Sequence, residues 1–253
     1  MDKDKLKYLW KKEEPNEFIG WDFSHIKNRY CSEELPWDYK SIVKSYLKEN
    51  MSLLDMGTGD GKFLLSLNHP YKKTSVTEKY EPNYKLCTKE LEPLGIEVNR
   101  VISDTDLPFD NNKFDLVINR HESFDVSEVK RILKPDGVFI TQQVGGRNNI
   151  CLSKALIKDY KPQFLNNELQ IVKEDVAKNG FKVIYSNEFL PQLKFFDIGA
   201  VIYFASIIKW EFPNFSVDNN FDELYALSET LDKKGFIESR EHRFIIVAKL
   251  NKN

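Results

Sequence analysis

One stretch constrains this chain more than any other: Leu53-Leu54-Asp55-Met56-Gly57-Thr58-Gly59-Asp60-Gly61. An apolar run ends in an acidic residue, three glycines follow at alternate positions, and a helix-forming segment, Lys62 to Leu67, starts at once. That order reads as strand, tight turn, helix. Glycine takes positive φ without strain and lets a ligand approach the backbone with no Cβ in the way. The start of the helix then offers N–H groups and positive dipole to an anionic group. The Gly-x-Gly-x-Gly spacing differs from the Gly-x-Gly-x-x-Gly of a dinucleotide site.

The chain continues as alternating strands and helices. Thr74 to Glu78 is a β-rich run ending in a carboxylate, at the ~20-residue distance from the glycine turn where a ribose-binding acid stands in a βαβ unit. Pro82 to Leu94 reads as a helix with Gly95 as its cap. Glu97 to Ile102 reads as a strand running into Ser103-Asp104-Thr105-Asp106-Leu107-Pro108-Phe109. Phe114 to Asn119 is a buried strand with a polar end, followed by Arg120-His121-Glu122. Val126 to Leu133 is helical, Lys134 to Gly137 is a turn, and Gly137 to Gln142 is the next strand.

Asp55, the glycines and Glu78 together resemble the cofactor site of the class I S-adenosylmethionine-dependent methyltransferases. The phrase Arg131-Ile-Leu-Lys-Pro-Asp-Gly-Val-Phe139 resembles the type-11, ubiquinone-methyltransferase-like branch. The resemblance spans about residues 50–145. It implies an α/β fold: a Rossmann-like, doubly wound sheet of seven strands, order 3-2-1-4-5-7-6, with strand 7 antiparallel. Phe181 to Ser186 would be strand six and Arg243 to Leu250 strand seven. Residues 1–50 form an N-terminal helical cap and 51–253 the methyltransferase domain, with 190–239 a helical, lid-like insertion before the last strand.

The resemblance also implies the cofactor, S-adenosyl-L-methionine, and its product, S-adenosyl-L-homocysteine. Asp55, Met56, Gly57, Thr58, Gly59, Gly61, Glu78, Lys79, Asp104, Thr105 and Asn119 are its expected holders, Asp104 at the adenine amino group and Leu107 or Phe109 against the ring. Glu78 accepts from the ribose diol. The Asn/Asp-Pro-Pro-aromatic motif of the planar-nitrogen enzymes is missing after Asn119, which argues against that chemistry. His121 is the candidate base, because imidazole titrates near neutrality; ordering of its own loop is the alternative. Glu122 would orient His121 or cap the next helix.

Phe195 to Phe215 is unusually apolar and aromatic. It is expected to roof an acceptor pocket through Asp197, Tyr203, Trp210 and Glu211, together with Arg120, His121, Trp21 and Trp37. Three functions compete: a methyltransferase for a small molecule, one for RNA or protein, and a cofactor-binding protein without transferase activity. The formal net charge of −2 disfavours RNA, since phosphate contacts dominate nucleic-acid affinity. Cys31, Cys87 and Cys151 have neither metal-ligand nor disulfide-framework spacing, so no metal is expected. The charged start and the lack of a long apolar run read as a soluble, cytoplasmic protein with no membrane partner. The expected partner is a small-molecule acceptor; the oligomeric state is left open by the sequence.

Overall fold

The computed structural model describes residues 2–15 and 23–251; Trp21 lies outside the described residues. The chain begins with α1 (Lys3–Lys11), β1 (Tyr30–Ser32) and α2 (Tyr39–Tyr46). It then runs through β2 (Leu53–Met56), α3 (Lys62–Leu65), β3 (Thr74–Glu78), α4 (Glu81–Leu91), β4 (Glu97–Arg100), β5 (Phe114–Arg120), α5 (Val126–Ile132) and β6 (Leu133–Val144). The second half holds α6 (Ile150–Leu156), α7 (Leu169–Lys178), β7 (Phe181–Phe189), β8 (Gln192–Phe195), α8 (Ile198–Ile207), α9 (Phe221–Lys234), β9 (Ile237–Arg240) and β10 (Arg243–Leu250).

Seven strands form one sheet in the order β4-β3-β2-β5-β6-β10-β7, with β10 antiparallel to both neighbours. This is the arrangement that the sequence resemblance implies. Its central strands are apolar at consecutive positions because both faces are covered. Leu53, Leu116, Ile118 and Ile245 pack on one face, against α2, α3 and α4. Leu54, Val117, Phe139 and Ile246 pack on the other, with Val129 of α5 and Val176 of α7. The expected turn at Lys134 to Gly137 lies inside β6: pairing with β5 jumps from Phe114↔Leu133 to Leu116↔Val138. Asp136 takes φ +63° there.

The insertion is not a helical lid laid on this sheet. Its strands β8 and β9 pair with β1 of the N-terminal segment in a separate antiparallel sheet, ordered β1-β8-β9. A third apolar core fills this lobe, drawn from Trp10, Ile26, Leu152, Leu156, Phe195, most of α8, Phe212 and Leu224. The α8 helix is buried nearly all round, so its apolar run is core sequence. Asp197 caps it by accepting from Ala200 N at 2.8 Å and pairs with Arg29, whose Nη2 is 2.6 Å away. Residues 1–50 are therefore not all helical: α1 and β1 belong to the lobe, and α2 packs on the sheet. No helix among the described residues is long and apolar enough to cross a membrane.

Candidate active site

Parallel strands deliver their polar ends to one edge of the sheet, where ligands of doubly wound folds bind. At β2, the chain leaves Met56 and takes positive φ at Gly57 (+69°), Gly59 (+66°) and Gly61 (+73°). Thr77 O accepts from Gly57 N at 3.0 Å and Thr58 N at 3.2 Å, which ties the turn to β3. Beneath it, the buried Asp55 accepts from Thr58 Oγ1 at 2.7 Å. Burial pushes the Asp55 carboxyl up to about 7, against the lowering effect of the Thr58 bond. Asp55 thus braces the turn from below. Gly61 faces away from the crevice: a Cβ there would stand 3.0 Å from both methyl carbons of Leu91, so this glycine lets α3 approach α4.

Glu78 ends β3 with its carboxylate against the turn. Its Oε2 accepts from Gly59 N at 2.9 Å, and its Oε1 from Lys79 N and Tyr80 N at 3.0 Å each. Burial raises its pKa in spite of these bonds. Oε1 thus accepts twice, and the Asn83 side chain bonds the same carboxylate, so a ribose hydroxyl would share or replace one of these donors. A narrow crevice runs from this carboxylate past Met56, Gly57, Thr77, Lys79, Val101, Asp104, Leu107, Glu122 and Ser123. Asp104 Oδ2 accepts from Ser123 Oγ at 2.6 Å, with Lys79 Nζ 4.0 Å from its Oδ1. Of the two apolar candidates, Leu107 lines the crevice, whereas Phe109 stacks edge-on against Phe114 in the core. Thr105 bonds Ser103 on the exposed loop and does not line it.

Asn119, fully buried, accepts from Thr141 Oγ1 at 3.0 Å and Gln143 Nε2 at 2.6 Å. Its Nδ2 donor has no partner among the described residues. Buried amides are rarely left so, and this one stands at the carboxyl end of β5. A cradle of positive-φ glycines beside an acidic group at the end of β3 suits an adenosyl amino acid.

Beyond Asn119, Arg120 lays its guanidinium over the Phe63 ring, 4.6 Å from the centroid. His121 takes φ +67°. Its N–H donates to Gln142 O at 2.8 Å, and its Nε2 is 3.1 Å from Gln142 Nε2. Gln142 Oε1 in turn accepts from Trp37 Nε1 at 2.8 Å. Glu122 neither orients His121 nor caps α5, the cap being Asp125, which accepts from Glu128 N at 2.9 Å. Glu122 turns back into the crevice.

The expected acceptor residues of the insertion divide. Tyr203 stacks on His25, ring centroids 4.7 Å apart, and packs against the lobe's own core. Trp210 is exposed. Neither they nor Asp197 reach the crevice. Glu211 does reach the sheet edge: it is buried and accepts from Asn148 Nδ2 at 2.6 Å and Asn149 Nδ2 at 2.9 Å, on the loop after β6. Asn148 Oδ1 in turn accepts from Arg243 Nη1 at 2.6 Å. Glu211 therefore fastens the lobe to the sheet. Sequence reading missed Gln142, Ser123 and Val101; the polar end of β6 was the available signal for the first.

Glu168, Glu188 and the buried His242 also gather. Arg147 already supplies the cation among them, its Nη2 3.0 Å from Glu168 Oε2 and 3.3 Å from Glu188 Oε2. His242 Nδ1 accepts from Arg147 N, and its Nε2 faces Glu188 at 2.9 Å, so the ring is saturated. Gly145 makes room for it: a Cβ there would lie 2.1 Å from His242 Nδ1. The cluster holds the loop after β6 in place.

Residues 54–141, which contain the glycine turn, Glu78, Asp104 and the Asn119 loop, match the model of a methyltransferase domain of the type-11 branch. An uncharacterized protein of Methanocaldococcus jannaschii is 25% identical over 231 residues, which are 87% of this chain and 92% of that relative. The solved structure of the YcgJ protein of Bacillus subtilis shares the fold with a TM-score of 0.57 at 15% identity, over 85% of this chain and 99% of that one. A geranyl diphosphate methyltransferase solved with S-adenosylmethionine shares it with a TM-score of 0.51 at 12% identity, over 83% of each chain. At such identities these structures speak for the fold, and the matched domain speaks for the chemistry. With its crevice inside the matched residues and its seven strands in that order, the chain carries a methyltransferase domain on a Rossmann-like fold.

Proposed function

We propose that the protein methylates a small-molecule acceptor by in-line displacement. The bound cofactor supplies a methyl group on a sulfonium, already a good leaving group. What remains for the chain is to align the acceptor and exclude water. Glu78 and the glycine turn hold the adenosyl end, and Asn119 offers its free donor beside them. The acceptor's place is then the edge in front of Arg120 and His121.

The observation that supports a small acceptor is the chain Trp37–Gln142–His121, which lays the N-terminal segment across the ends of β5 and β6. The same chain defines what His121 can do. An indole only donates, so Trp37 fixes the Gln142 oxygen toward itself and the amide nitrogen toward the imidazole. His121 Nε2 therefore accepts, and the proton of the neutral ring sits on Nδ1. Crowding of the ring by protein atoms, followed by the Arg243 and Arg120 guanidiniums, holds its pKa well below the usual histidine range. The residue as a whole is exposed, yet both guanidiniums push the same way. In this reading His121 orients the acceptor by donating a hydrogen bond. A base is required only where the acceptor must lose its proton early.

The test is release of S-adenosylhomocysteine over a metabolite panel, with bulk RNA and bulk cellular protein as separate arms. Turnover is expected with a metabolite and not in the macromolecular arms. With that acceptor, His121→Ala should lower kcat on the order of 100-fold through lost orientation and leave cofactor affinity unchanged. Turnover only with RNA or protein overturns the small-acceptor reading. An unchanged kcat confines His121 to ordering its loop.

A further inference from the structure

Glu122 is the one crevice carboxylate that the protein leaves without adequate partners. The positive φ of His121 turns the chain back at the end of β5 and throws the next side chain over the glycine turn. A Cβ built on Gly57 would stand 2.5 Å from Glu122 Cβ, 2.6 Å from Cγ and 3.0 Å from Oε2. Glu78 is answered by three backbone N–H groups and Asp104 by the Ser123 hydroxyl. Glu122 has only the backbone N–H of Ser123, whose hydroxyl lies 3.4 Å away with its one proton given to Asp104. Among the described residues no cation stands within ion-pair distance of it; Lys79 Nζ leans toward Asp104 instead, at 4.0 Å. Three carboxylates lining one crevice repel one another, and a poorly partnered, half-buried carboxylate is costly. What the arrangement lacks is a positive charge delivered beside Gly57.

The cofactor is a cation at sulfur and the product is not. Transfer breaks the sulfonium–methyl bond and leaves its electron pair on sulfur, while the acceptor forms the new bond to carbon. The positive charge departs with the methylated acceptor or with the proton that it sheds. We propose that the Glu122 carboxylate is the counter-ion of the sulfonium, so that the site grips S-adenosylmethionine more tightly than S-adenosylhomocysteine and loosens once the methyl has gone. This rests on the cofactor crevice and stands whatever the acceptor is.

The pH dependence follows. The groups facing Glu122 are Glu78 and Lys79 from the end of β3, Asp104 across the crevice and Ser123 beside it on the same loop. Burial, then Glu78 and Asp104, push its carboxyl up to about 7. A bound cation favours the ionised form and lowers that value. Affinity for the sulfonium ligand is therefore weak below about 7, rises as pH passes through it, and levels off above. Asp55 is also pushed up to about 7 by burial; a pH dependence of the ratio that comes from Asp55 survives in Glu122→Gln, whereas one that comes from Glu122 does not.

The experiment is calorimetric titration of the full chain with S-adenosylmethionine and with S-adenosylhomocysteine, on both sides of neutrality. In the wild type the preference for the sulfonium ligand should grow with pH. Glu122→Gln, which keeps the shape and removes the charge, should weaken the sulfonium ligand about tenfold, worth about 1.4 kcal/mol. It should leave the product's affinity unchanged and flatten the ratio against pH. Glu122→Ala should lose the same preference. Equal changes for both ligands in Glu122→Gln overturn the proposal. So does equal tightening of both in Glu122→Ala, which would make Glu122 a plug over Gly57.

Discussion

Gly57→Val is expected to abolish measurable S-adenosylmethionine binding. The backbone there has φ +69°, and any Cβ would stand 2.5 Å from Glu122 Cβ. A branched residue in that conformation costs of order 1–3 kcal/mol, so the melting temperature should fall by several degrees while the sheet still forms. The cofactor effect should be far larger, because the new side chain fills the crevice between Met56 and Glu122. Two explanations separate in the double variant. If Gly57 serves only to make room for Glu122, Gly57→Val with Glu122→Ala recovers binding. If the glycine serves the ligand, binding stays lost. We expect it to stay lost, as judged by calorimetry on protein whose circular dichroism is native.

Glu78→Ala is expected to weaken the cofactor on the order of 100-fold, since hydrogen bonds to a charged acceptor contribute about 1.5–3 kcal/mol each. Part of that loss would be indirect. Glu78 also holds Gly59 N, Lys79 N and Tyr80 N, so its removal leaves three donors to water and loosens the glycine turn. A cofactor analogue without ribose hydroxyls separates the two contributions. If Glu78 contacts the diol, the wild type loses most of its advantage over the variant with the analogue. An undiminished advantage would make Glu78 a brace for the turn alone.

The parts of this protein that were legible in its sequence are those whose signal is local. Leu53, Leu54 and Leu116 to Ile118 are apolar at consecutive positions because both faces of the sheet are covered. Asp55, the glycines and Glu78 sit where a single βαβ unit puts them. Even the strand order came through, though from resemblance: no pattern within a parallel strand says which neighbour it takes. The second sheet stayed hidden. With three residues in β1 and four in each of β8 and β9, no alternation can show, and pairs such as Tyr30↔Phe195 join distant parts of the chain. The aromatic run from Phe195 to Phe215 misled for a related reason, because a pocket wall and a lobe core have the same composition. Only packing tells them apart: Phe195, Phe204 and Phe212 face a core of their own. Glu122 was legible as an acid after a strand but not as part of the crevice, since its direction depends on the left-handed turn at His121. Trp37 was read as an aromatic neighbour of the site; its bond to Gln142 depends on where β6 ends.

The central claim is that the crevice between Glu78 and Glu122 is where this enzyme holds its cofactor. A crystal structure of the protein with S-adenosylhomocysteine tests it most directly. The ribose hydroxyls are expected on the Glu78 carboxylate, the adenine beside Asp104 and Leu107, and the sulfur next to Gly57 and Glu122. Ligand density elsewhere, with Glu78 bonded only to Gly59, Lys79, Tyr80 and Asn83 as it is without ligand, would contradict it.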